Sequence, residues 1–217
     1  MKKALDILNE KYRALSAEER IRQLRSDFPR VLFTSSFGTT SAVLLHLFHE
    51  VMPDLPVYFL DTTYHFAETI AYKEQLTKQL GLQVIDIKPE EWKNTFTRED
   101  HTWQKDPDLC CSINKVEPLE RIKTQFDVWV SGLMRTQNTY RDALHVFEER
   151  DGIVKFFPII DWTEEQAKEY IEKHKLPAHP LQAHGYNSVG CFHCTTKGKG
   201  RSGRWANKSK SECGLHL

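Results

Sequence analysis

The sequence predicts an α/β protein built on an open, mostly parallel sheet with helices on both faces. Short apolar segments typical of buried strands alternate with segments of helical periodicity, and this alternation indicates parallel βαβ units. The chain has 217 residues, enough for one well-buried domain of this class, and its sequence contains neither a repeat nor a low-complexity linker. We therefore expect one main domain that binds its ligand beyond the carboxyl ends of the strands.

Local signals predict where individual helices begin and end. Gly81 follows a charged amphipathic segment and is placed to end that helix as a C-cap. Thr163 and Gln166 have the spacing of a capping box, which predicts a helix start. The predicted helices are 4–24, 42–49, 66–80 and 164–174, and the predicted strands are 30–35, 57–61, 83–88, 128–132 and 155–160.

Composition and charge argue against several classes of protein. Lys plus Arg and Asp plus Glu both number 30, whereas a general nucleic-acid or membrane-surface binder needs an excess of positive charge. No apolar run approaches the roughly 20 residues that a membrane span needs. The first residues alternate apolar with charged side chains and lack the apolar core of a secretory signal. We expect a cytoplasmic protein that binds neither nucleic acid nor membrane.

Two candidate ligand-binding segments follow predicted strands. The small-residue turn 35–41 leads into a helix, and such a turn presents backbone N–H groups to a phosphate. It lacks the lysine of a Walker A loop, so it is not one, and an ordinary βα turn explains it equally well. The segment 61–63 lies at the same edge of the predicted sheet.

The cysteines carry a stronger signal. Cys110 and Cys111 are adjacent, Cys191 and Cys194 form a C-x-x-C pair, and four thiolates are the usual complement of an iron–sulfur cluster. Four thiolates would equally hold one zinc ion, although adjacent cysteines suit a polynuclear cluster better than a single tetrahedral ion. Buried cysteines that act as small hydrophobic side chains are the third interpretation.

Cys213 stands apart from these four, in a segment rich in Gly, Ser, Lys and Arg. A cysteine beside glycine in a basic, exposed tail is expected to be partly thiolate and nucleophilic. Arg201 and Arg204 are spaced to clamp an oxyanion, although a solvated charge run is the commoner explanation for such a segment. We expect a mobile C-terminal tail with a reactive thiol.

Together these motifs resemble the adenylyl-sulfate and phosphoadenylyl-sulfate reductase family, whose fold is related to the PP-loop, or adenine nucleotide alpha hydrolase-like, domains. The most specific match is the segment from Glu212 to His216, followed by the segments 110–118 and 185–194. The four paired cysteines are similar to those of the branch that carries a 4Fe-4S cluster. All five cysteines of the chain are thereby accounted for.

The resemblance implies a two-stage reduction of adenosine 5′-phosphosulfate to sulfite and AMP in assimilatory sulfate reduction. The Cys213 thiolate would attack the sulfur and become an S-sulfonate, and a thioredoxin or glutaredoxin thiol would then release sulfite. The cluster would act through structure and charge, not by passing electrons to sulfur. The resemblance also implies a homo-oligomer, with residues 1–195 as the nucleotide- and cluster-binding domain and 196–217 as its catalytic tail.

The resemblance further implies the residues of the site. Because AMP and the sulfonate both carry negative charge, cationic groups must hold the two together for reaction. The implied cluster ligands are Cys110, Cys111, Cys191 and Cys194. The implied substrate contacts are Ser35, Ser36, Phe37, Gly38, Thr39, Asp61, Thr62, Lys115, Gly132, Arg135, Arg141, Arg201, Arg204 and His216.

Two departures from the family pattern leave alternatives open. Thr63 stands where the family commonly has glycine, and because it is β-branched we expect no turn with φ > 0 there. The turn after the first strand lacks the acidic residue often found in cluster-containing members and is closer to the phosphoadenylyl-sulfate enzymes. A phosphoadenylyl-sulfate or dual-substrate reductase is therefore one alternative. A nucleotide-binding protein with structural zinc, which would do no sulfur redox chemistry, is the other.

Overall fold

The fold is described from a computed structural model, which covers residues 2–150, 152–206, 210 and 212–215. The strands within these residues are β1 (Val31–Thr34), β2 (Val57–Leu60), β3 (Val84–Ile87), β4 (Val128–Val130), β5 (Phe147–Arg150) and β6 (Ile153–Phe156). They form one sheet in the order β3-β2-β1-β4-β6-β5. Every neighbouring pair is parallel except β5 with β6, so the open, mostly parallel sheet is confirmed.

The helices connect and cover these strands. The α-helices of the described residues are α1 (Lys2–Arg13), α2 (Ala17–Asp27), α3 (Ser41–Val51), α4 (Ala67–Leu80), α5 (Glu91–Glu99), α6 (Thr102–Lys105), α7 (Pro107–Cys111), α8 (Glu117–Lys123), α9 (Thr139–Asp142) and α10 (Glu164–Lys173). A π-helical turn, Ser112–Val116, joins α7 to α8. Gly81 ends α4 in the left-handed conformation, and Thr163 caps α10 in a capping box with Gln166, as predicted.

The prediction of one opening helix over 4–24 is wrong, because the chain breaks it into α1 and α2. Ser16 is the N-cap of α2, and its side chain accepts a hydrogen bond from the backbone N–H of Glu19. The Glu19 carboxylate in turn accepts from the backbone N–H of Ser16 at 2.8 Å. This capping box is visible in the sequence as Ser followed three residues later by Glu, a helix-start signal inside the apolar pattern.

Two features at the β5 edge of the sheet differ from the prediction. β5 was not predicted, because its sequence Phe-Glu-Glu-Arg carries only one apolar residue, the fully buried Phe147. A strand at the edge of a sheet needs no continuous apolar run. The predicted strand 155–160 starts earlier, as β6 at Ile153, and stops at Phe156. Beyond it the chain turns at Pro158, which has no N–H to donate to a neighbouring strand.

The central strands are buried on both faces. In β1, Val31 and Phe33 belong to the main apolar core, whereas Leu32 belongs to a second core on the opposite face. In β4, Trp129 likewise joins the second core. Residues from α2, α3, α4 and α10 fill the main core, and Leu119 from α8 packs in the second. Because successive side chains of a strand point to opposite faces, helices cover both faces of the sheet, as predicted.

The expectation that Thr63 avoids a positive φ is also wrong, since its φ is 64°. Two hydrogen bonds stabilise this left-handed conformation. The backbone N–H of Thr63 donates to Asp61 Oδ1 at 3.0 Å, and Thr63 Oγ1 donates to Asn94 Oδ1 at 3.0 Å. The conformation that glycine adopts freely is therefore held here by side-chain partners.

The described part of the segment 196–217 packs against the α/β domain. Trp205 is 3% exposed and Glu212 is 2% exposed. Near its start, the backbone N–H of Thr196 donates to the carbonyl of Gly203 at 2.8 Å. Among the described residues, no helix combines the length and the apolar character that crossing a membrane requires.

Candidate active site

A cavity of about 920 Å³ opens at the carboxyl ends of the central strands. Its wall includes Thr34 at the end of β1, Leu60 at the end of β2 and Ser131 directly after β4. In open α/β sheets this edge is where ligands bind. Residues of the C-terminal segment, among them Cys213, form another part of the wall.

The turn between β1 and α3 forms one side of the cavity. Phe37 differs from its neighbours, because its side chain is fully buried and its ring lies 5.6 Å from that of Phe59 in the core. α3 begins directly after the turn, and its N-cap Thr40 makes no side-chain hydrogen bond to it. Backbone N–H groups at such a helix start are suited to bind an anion. The turn residues that line the cavity are Ser35, Ser36, Gly38, Thr39, Thr40 and Ser41.

The four paired cysteines lie in one neighbourhood beside the cavity. Burial, and after it the charges of Cys111, Cys191 and Cys194, raise the pKa of the Cys110 thiol to about 12. Electrostatic interactions with all three show that chain segments about 80 residues apart in sequence meet here. All four cysteines are free of disulfides. In the described residues, no group of three or more histidine, cysteine, aspartate or glutamate side chains is arranged to hold a metal ion.

Lys115 links the cysteine neighbourhood to the cavity. It belongs to the π-helical turn that follows Cys111, and its side chain lines the cavity. Burial alone would lower the pKa of Lys115, but the thiolate charges of Cys191, Cys213 and Cys111 raise it overall. Conversely, burial alone would raise the pKa of Cys191, and the Lys115 ammonium contributes most to lowering it. Lys115 is thus a half-buried cation beside three cysteines.

Cys213 is half-buried in the cavity wall and is surrounded by cationic groups. Its charge interacts with Lys115, Arg141, Arg201 and Lys210. The thiolate is the nucleophilic form of cysteine, and its negative charge would lie among these cations. The cavity therefore combines an uncapped helix start, several cations and one thiol that is outside the paired set.

The structure also gives a contact to a residue of the C-terminal motif that was not among the predicted site residues, the carboxylate of Glu212. Its Oε1 accepts hydrogen bonds from Arg141 Nε at 2.8 Å and from Asn138 Nδ2 at 2.8 Å. Its Oε2 lies 3.2 Å from Arg201 Nη2. We call these four residues the Glu212 network. The available signal was that Glu212 is the only acidic residue in the segment 196–217.

Lys155 is a second residue that sequence reasoning missed. It lies in β6, is 1% exposed, and its Nζ donates to the carbonyl of Leu215 at 3.0 Å. The same Nζ lies 5.0 Å from the ring centre of Trp129, whose Nε1 donates to Thr34 Oγ1 at 2.8 Å. In the sequence this lysine lies within a strand pattern, and no local signal predicts its contact with a residue 60 positions away.

Several predicted substrate contacts lie outside the cavity wall. Asp61 is 3.5 Å from Lys88 Nζ, and Arg135 Nε donates to the carbonyl of Leu144 at 2.8 Å. Thr62 is fully buried, with its Oγ1 3.4 Å from Cys191 Sγ. His216 lies outside the described residues. The predicted contacts that do line the wall are Ser35, Ser36, Gly38, Thr39, Lys115, Gly132, Arg141, Arg201 and Arg204.

Comparisons with known proteins agree with this architecture. Residues 30–197 match the family model described as the phosphoadenosine phosphosulfate reductase domain. A protein named adenosine 5′-phosphosulfate reductase from Mesorhizobium japonicum is 43% identical over 208 residues, which are 92% of this chain and 80% of that protein. One with the same name from Halalkalibacterium halodurans is 41% identical over 198 residues, which are 86% of this chain and 85% of that protein.

A solved structure gives the same result at the level of the fold. The crystal structure of phosphoadenylyl-sulfate reductase from Candida auris, a phosphate complex, superposes with a TM-score of 0.80 at 28% identity. The match covers 90% of this chain and 98% of that one. The family expected from the cysteine and C-terminal motifs is confirmed. The chain belongs to the phosphoadenosine phosphosulfate reductase domain family.

Proposed function

We propose that the protein is an adenylyl-sulfate reductase, which reduces adenosine 5′-phosphosulfate to sulfite and AMP with Cys213 as the nucleophile. The observation that carries the proposal is that Cys213 lines the same cavity as the turn between β1 and α3. A thiol therefore lines the same space as the N-terminus of a helix, where backbone N–H groups are suited to bind a phosphate. The names of the two bacterial relatives support this substrate and reaction, and with them a role in sulfate assimilation.

The proposed reaction has two stages. The Cys213 thiolate attacks the sulfate sulfur, a sulfur–sulfur bond forms, and the bond from sulfur to the phosphate oxygen breaks, so that AMP leaves with that oxygen. A thiolate of thioredoxin or glutaredoxin then attacks Cys213 Sγ and displaces sulfite. The second thiol of the reductant resolves the mixed disulfide, so Cys213 is regenerated and the reductant ends as a disulfide.

The cations of the cavity serve the first stage. The thiolate, the sulfate and the phosphate all carry negative charge, so bringing them together requires positive charge fixed in advance. Lys115 and Arg204 line the cavity. In the proposal they hold the phosphosulfate while the turn between β1 and α3 holds the nucleotide.

We also propose that Cys110, Cys111, Cys191 and Cys194 hold a 4Fe-4S cluster. The four cysteines are free of disulfides, Cys110 interacts electrostatically with the other three, and four thiolates are the usual complement of such a cluster. When bound, the cluster would supply fixed structure and charge beside the cavity. Lys115, four residues beyond Cys111 and in contact with the charge of Cys191, would neutralise part of the thiolate charge and face the substrate with the same ammonium.

A thioredoxin-type reductant is proposed because the S-sulfonate needs an external dithiol. The free cysteines support a cytoplasmic location, where thiols stay reduced. The protein is proposed to form a homo-oligomer, and neither nucleic acid nor membrane is a proposed partner of a chain whose formal net charge is +0.

The nucleophile is tested by trapping the first intermediate. Wild type and Cys213→Ser are incubated with adenosine 5′-phosphosulfate and no reductant, and peptides are analysed by mass spectrometry. We expect the mass of one SO₃ group on the peptide that contains Cys213, one AMP released per modified chain, and neither product from the variant. Full sulfite release by the Cys213→Ser variant would overturn the mechanism.

The cluster is tested on anaerobically purified protein. We expect broad visible absorption, with about four irons and four acid-labile sulfides per chain. A colourless protein that contains zinc would instead support the structural-zinc alternative for the four cysteines.

A preference for phosphoadenylyl sulfate is the second candidate function. The Candida auris neighbour and the Ser-Ser-Phe-Gly form of the turn at 35–38 favour it. Comparing kcat/KM for the two nucleotides decides between them. The 3′-phosphate adds roughly −1.5 to −2 charge near pH 7, so its use requires further cationic contacts.

A further inference from the structure

We propose that Glu212 is a positioning residue that holds Cys213 in the cavity by binding Arg141 and Arg201. The inference rests on the proposed function, in which Cys213 is the nucleophile. Arg141 and Arg201 both line the cavity, so the same contact fixes where these two cations lie beside the thiol.

Both carboxylate oxygens of Glu212 are engaged, and the group is enclosed. Arg141 Nη2 lies 2.7 Å from Oε1, and the exposed fractions of the Arg141 and Glu212 side chains are 5% and 1%. Arg201 binds the other oxygen, and its side chain is 19% exposed. Breaking a buried pair is costly because it leaves uncompensated charges away from water. The residue directly before Cys213 is therefore held firmly.

All three side-chain nitrogens of Arg141 have a partner within the protein. Its Nε and Nη2 face Glu212, and its Nη1 donates to Gln137 Oε1. The backbone N–H of Arg141 is also bound, to Asn138 Oδ1 at 2.9 Å. A guanidinium has five N–H donors in one rigid plane, so contacts along both edges fix its orientation. Arg141 is thus built into the network that holds the tail.

Arg204 presents the opposite case. Its Nη1 donates to the carbonyl of Val189 at 3.1 Å, while its Nε is buried and has no hydrogen-bond partner among the described residues. Neither Arg204 nor Lys115 forms an ion pair with a carboxylate in the described part of the chain. Both side chains line the cavity, so their charge is available to an oxyanion.

The charge of the tail explains why one carboxylate is needed. The segment 196–217 contains several lysines and arginines and only one acidic residue, Glu212. It must pack against a wall that contains Arg141 and Lys115, and like charges at close range repel. Among the described residues of this segment, Glu212 supplies an attractive contact of opposite sign directly before Cys213, and Lys210 supplies another by pairing with Asp108. A further contact, from Lys155 to the carbonyl of Leu215, lies on the other side of the cysteine.

The test compares Glu212→Gln with wild type in the full-length holoprotein. Three quantities are measured: the rate of S-sulfonate formation at saturating adenosine 5′-phosphosulfate, the Kd for AMP, and the rate of Cys213 alkylation by iodoacetamide, read by peptide mass spectrometry. We expect S-sulfonate formation to fall about 10- to 100-fold, the range set by losing a charged hydrogen bond. The Kd for AMP should stay within about twofold, and alkylation should become several times faster because the tail is released.

Two further variants complete the design. Arg141→Gln should reproduce both changes and the steady Kd for AMP, and the double variant should be no worse than either single one, since both remove the same interaction. Glu164→Gln is the matched control, because Glu164 lines the same cavity and is exposed, so it removes an equal charge from the wall. It should leave Cys213 alkylation unchanged.

Specific outcomes would overturn the inference. If Arg141→Gln weakens AMP binding about tenfold while Cys213 alkylation is unchanged, Arg141 binds substrate and the assignment is wrong. If Glu212→Gln binds AMP more tightly and forms S-sulfonate faster, Glu212 competes with the substrate instead of positioning the thiol. Failure of wild type to form any S-sulfonate would sink the proposed function alone, because the alkylation and AMP measurements test the contact without turnover.

Discussion

The guanidinium of Arg204 lies in the space that a side chain on Gly190 would occupy. A Cβ built on Gly190 would come within 2.3 Å of Arg204 Nη2 and 2.5 Å of Arg204 Cζ. The guanidinium also donates to the carbonyl of Val189, one residue before that glycine. Gly190 therefore creates the space in which this cavity cation is held.

Gly190→Ala should displace Arg204 and weaken nucleotide binding. The group that the new methyl would displace is the guanidinium, the flexible end of the long Arg204 side chain. The fold should therefore be retained while the guanidinium moves away from its present position. We expect the Kd for AMP to rise about tenfold, the equivalent of roughly 1.4 kcal/mol, with little change in Tm. Combining Gly190→Ala with Arg204→Gln should be no worse than Arg204→Gln alone. Additive losses would contradict the shared cause.

Lys155→Met should weaken the attachment of the tail at Leu215, which lies on the other side of Cys213 from Glu212 in the chain. Methionine keeps apolar packing in β6 but removes the ammonium that binds the Leu215 carbonyl. We expect Cys213 alkylation to become about ten times faster, because the bond lost is one to a charged group. The exposed Lys173 gives the control, Lys173→Met, for loss of a lysine elsewhere. An unchanged alkylation rate in Lys155→Met would show that this contact does not hold the tail.

Arg20→Leu should destabilise the fold far more than a similar change on the same helix. The Arg20 side chain is 2% exposed and donates to the carbonyls of Tyr12 and Pro158 and to Asp161. Its loss leaves these acceptors without their donor, so we expect the free energy of unfolding to fall by about 3 kcal/mol in urea titrations. Arg25→Leu breaks an exposed pair with Asp54, which water and salt screen, and should lower the free energy of unfolding far less. Equal effects would contradict the role of burial.

His179 should make the protein less stable in mild acid. Burial lowers the pKa of His179 from 6.5 to about 4. The backbone N–H of Leu181 donates to its Nδ1 at 3.2 Å, which requires that nitrogen to be unprotonated. The unfolded chain therefore binds a proton that the folded chain resists, so stability is present above pH 6.5 and is lost as pH falls towards 4.

The size of this loss is about 3 kcal/mol once the pH is below both values. The free energy of unfolding is measured by urea titration for wild type and His179→Gln. The titrations are repeated at several pH values from about 7 down to about 4, roughly the folded pKa. The wild type should lose stability faster, so the difference between the two should change steadily with pH. His184 is exposed, so the free energy of unfolding of His184→Gln should change with pH in the same way as that of wild type. A constant difference for His179→Gln would contradict the assignment.

Much of the fold was accessible from the sequence because its signals are local. The apolar runs of β1, β2, β3 and β4 and the caps at Gly81 and Thr163 were each visible within a few residues. β5 escaped because an edge strand with one buried side chain has no such run. The break at Ser16 was missed because the apolar pattern continues across it, although the capping box was present.

The candidate site divides in the same way. The paired cysteines and Cys213 were found because residue type and spacing alone suggest thiol chemistry. Glu212 was not, because its meaning depends on Arg141, 71 residues away, and no local pattern relates the two. The positive φ of Thr63 depends on Asn94, 31 residues away, which supplies the hydrogen bond that glycine would not need. Such long-range contacts cannot be read from spacing.

The π-helical turn Ser112–Val116 has a consequence for how this site can vary. It separates two functional groups along one continuous helix. The thiols of Cys110 and Cys111 come before it, and the Lys115 ammonium lies within it and lines the cavity. A π-turn holds one residue more than an α-turn over the same hydrogen bond. Deletion of a single residue there would restore α-helical winding. The Lys115 ammonium would then rotate about the helix axis, away from the thiols. Chain length in this turn is therefore as strict a requirement as residue identity.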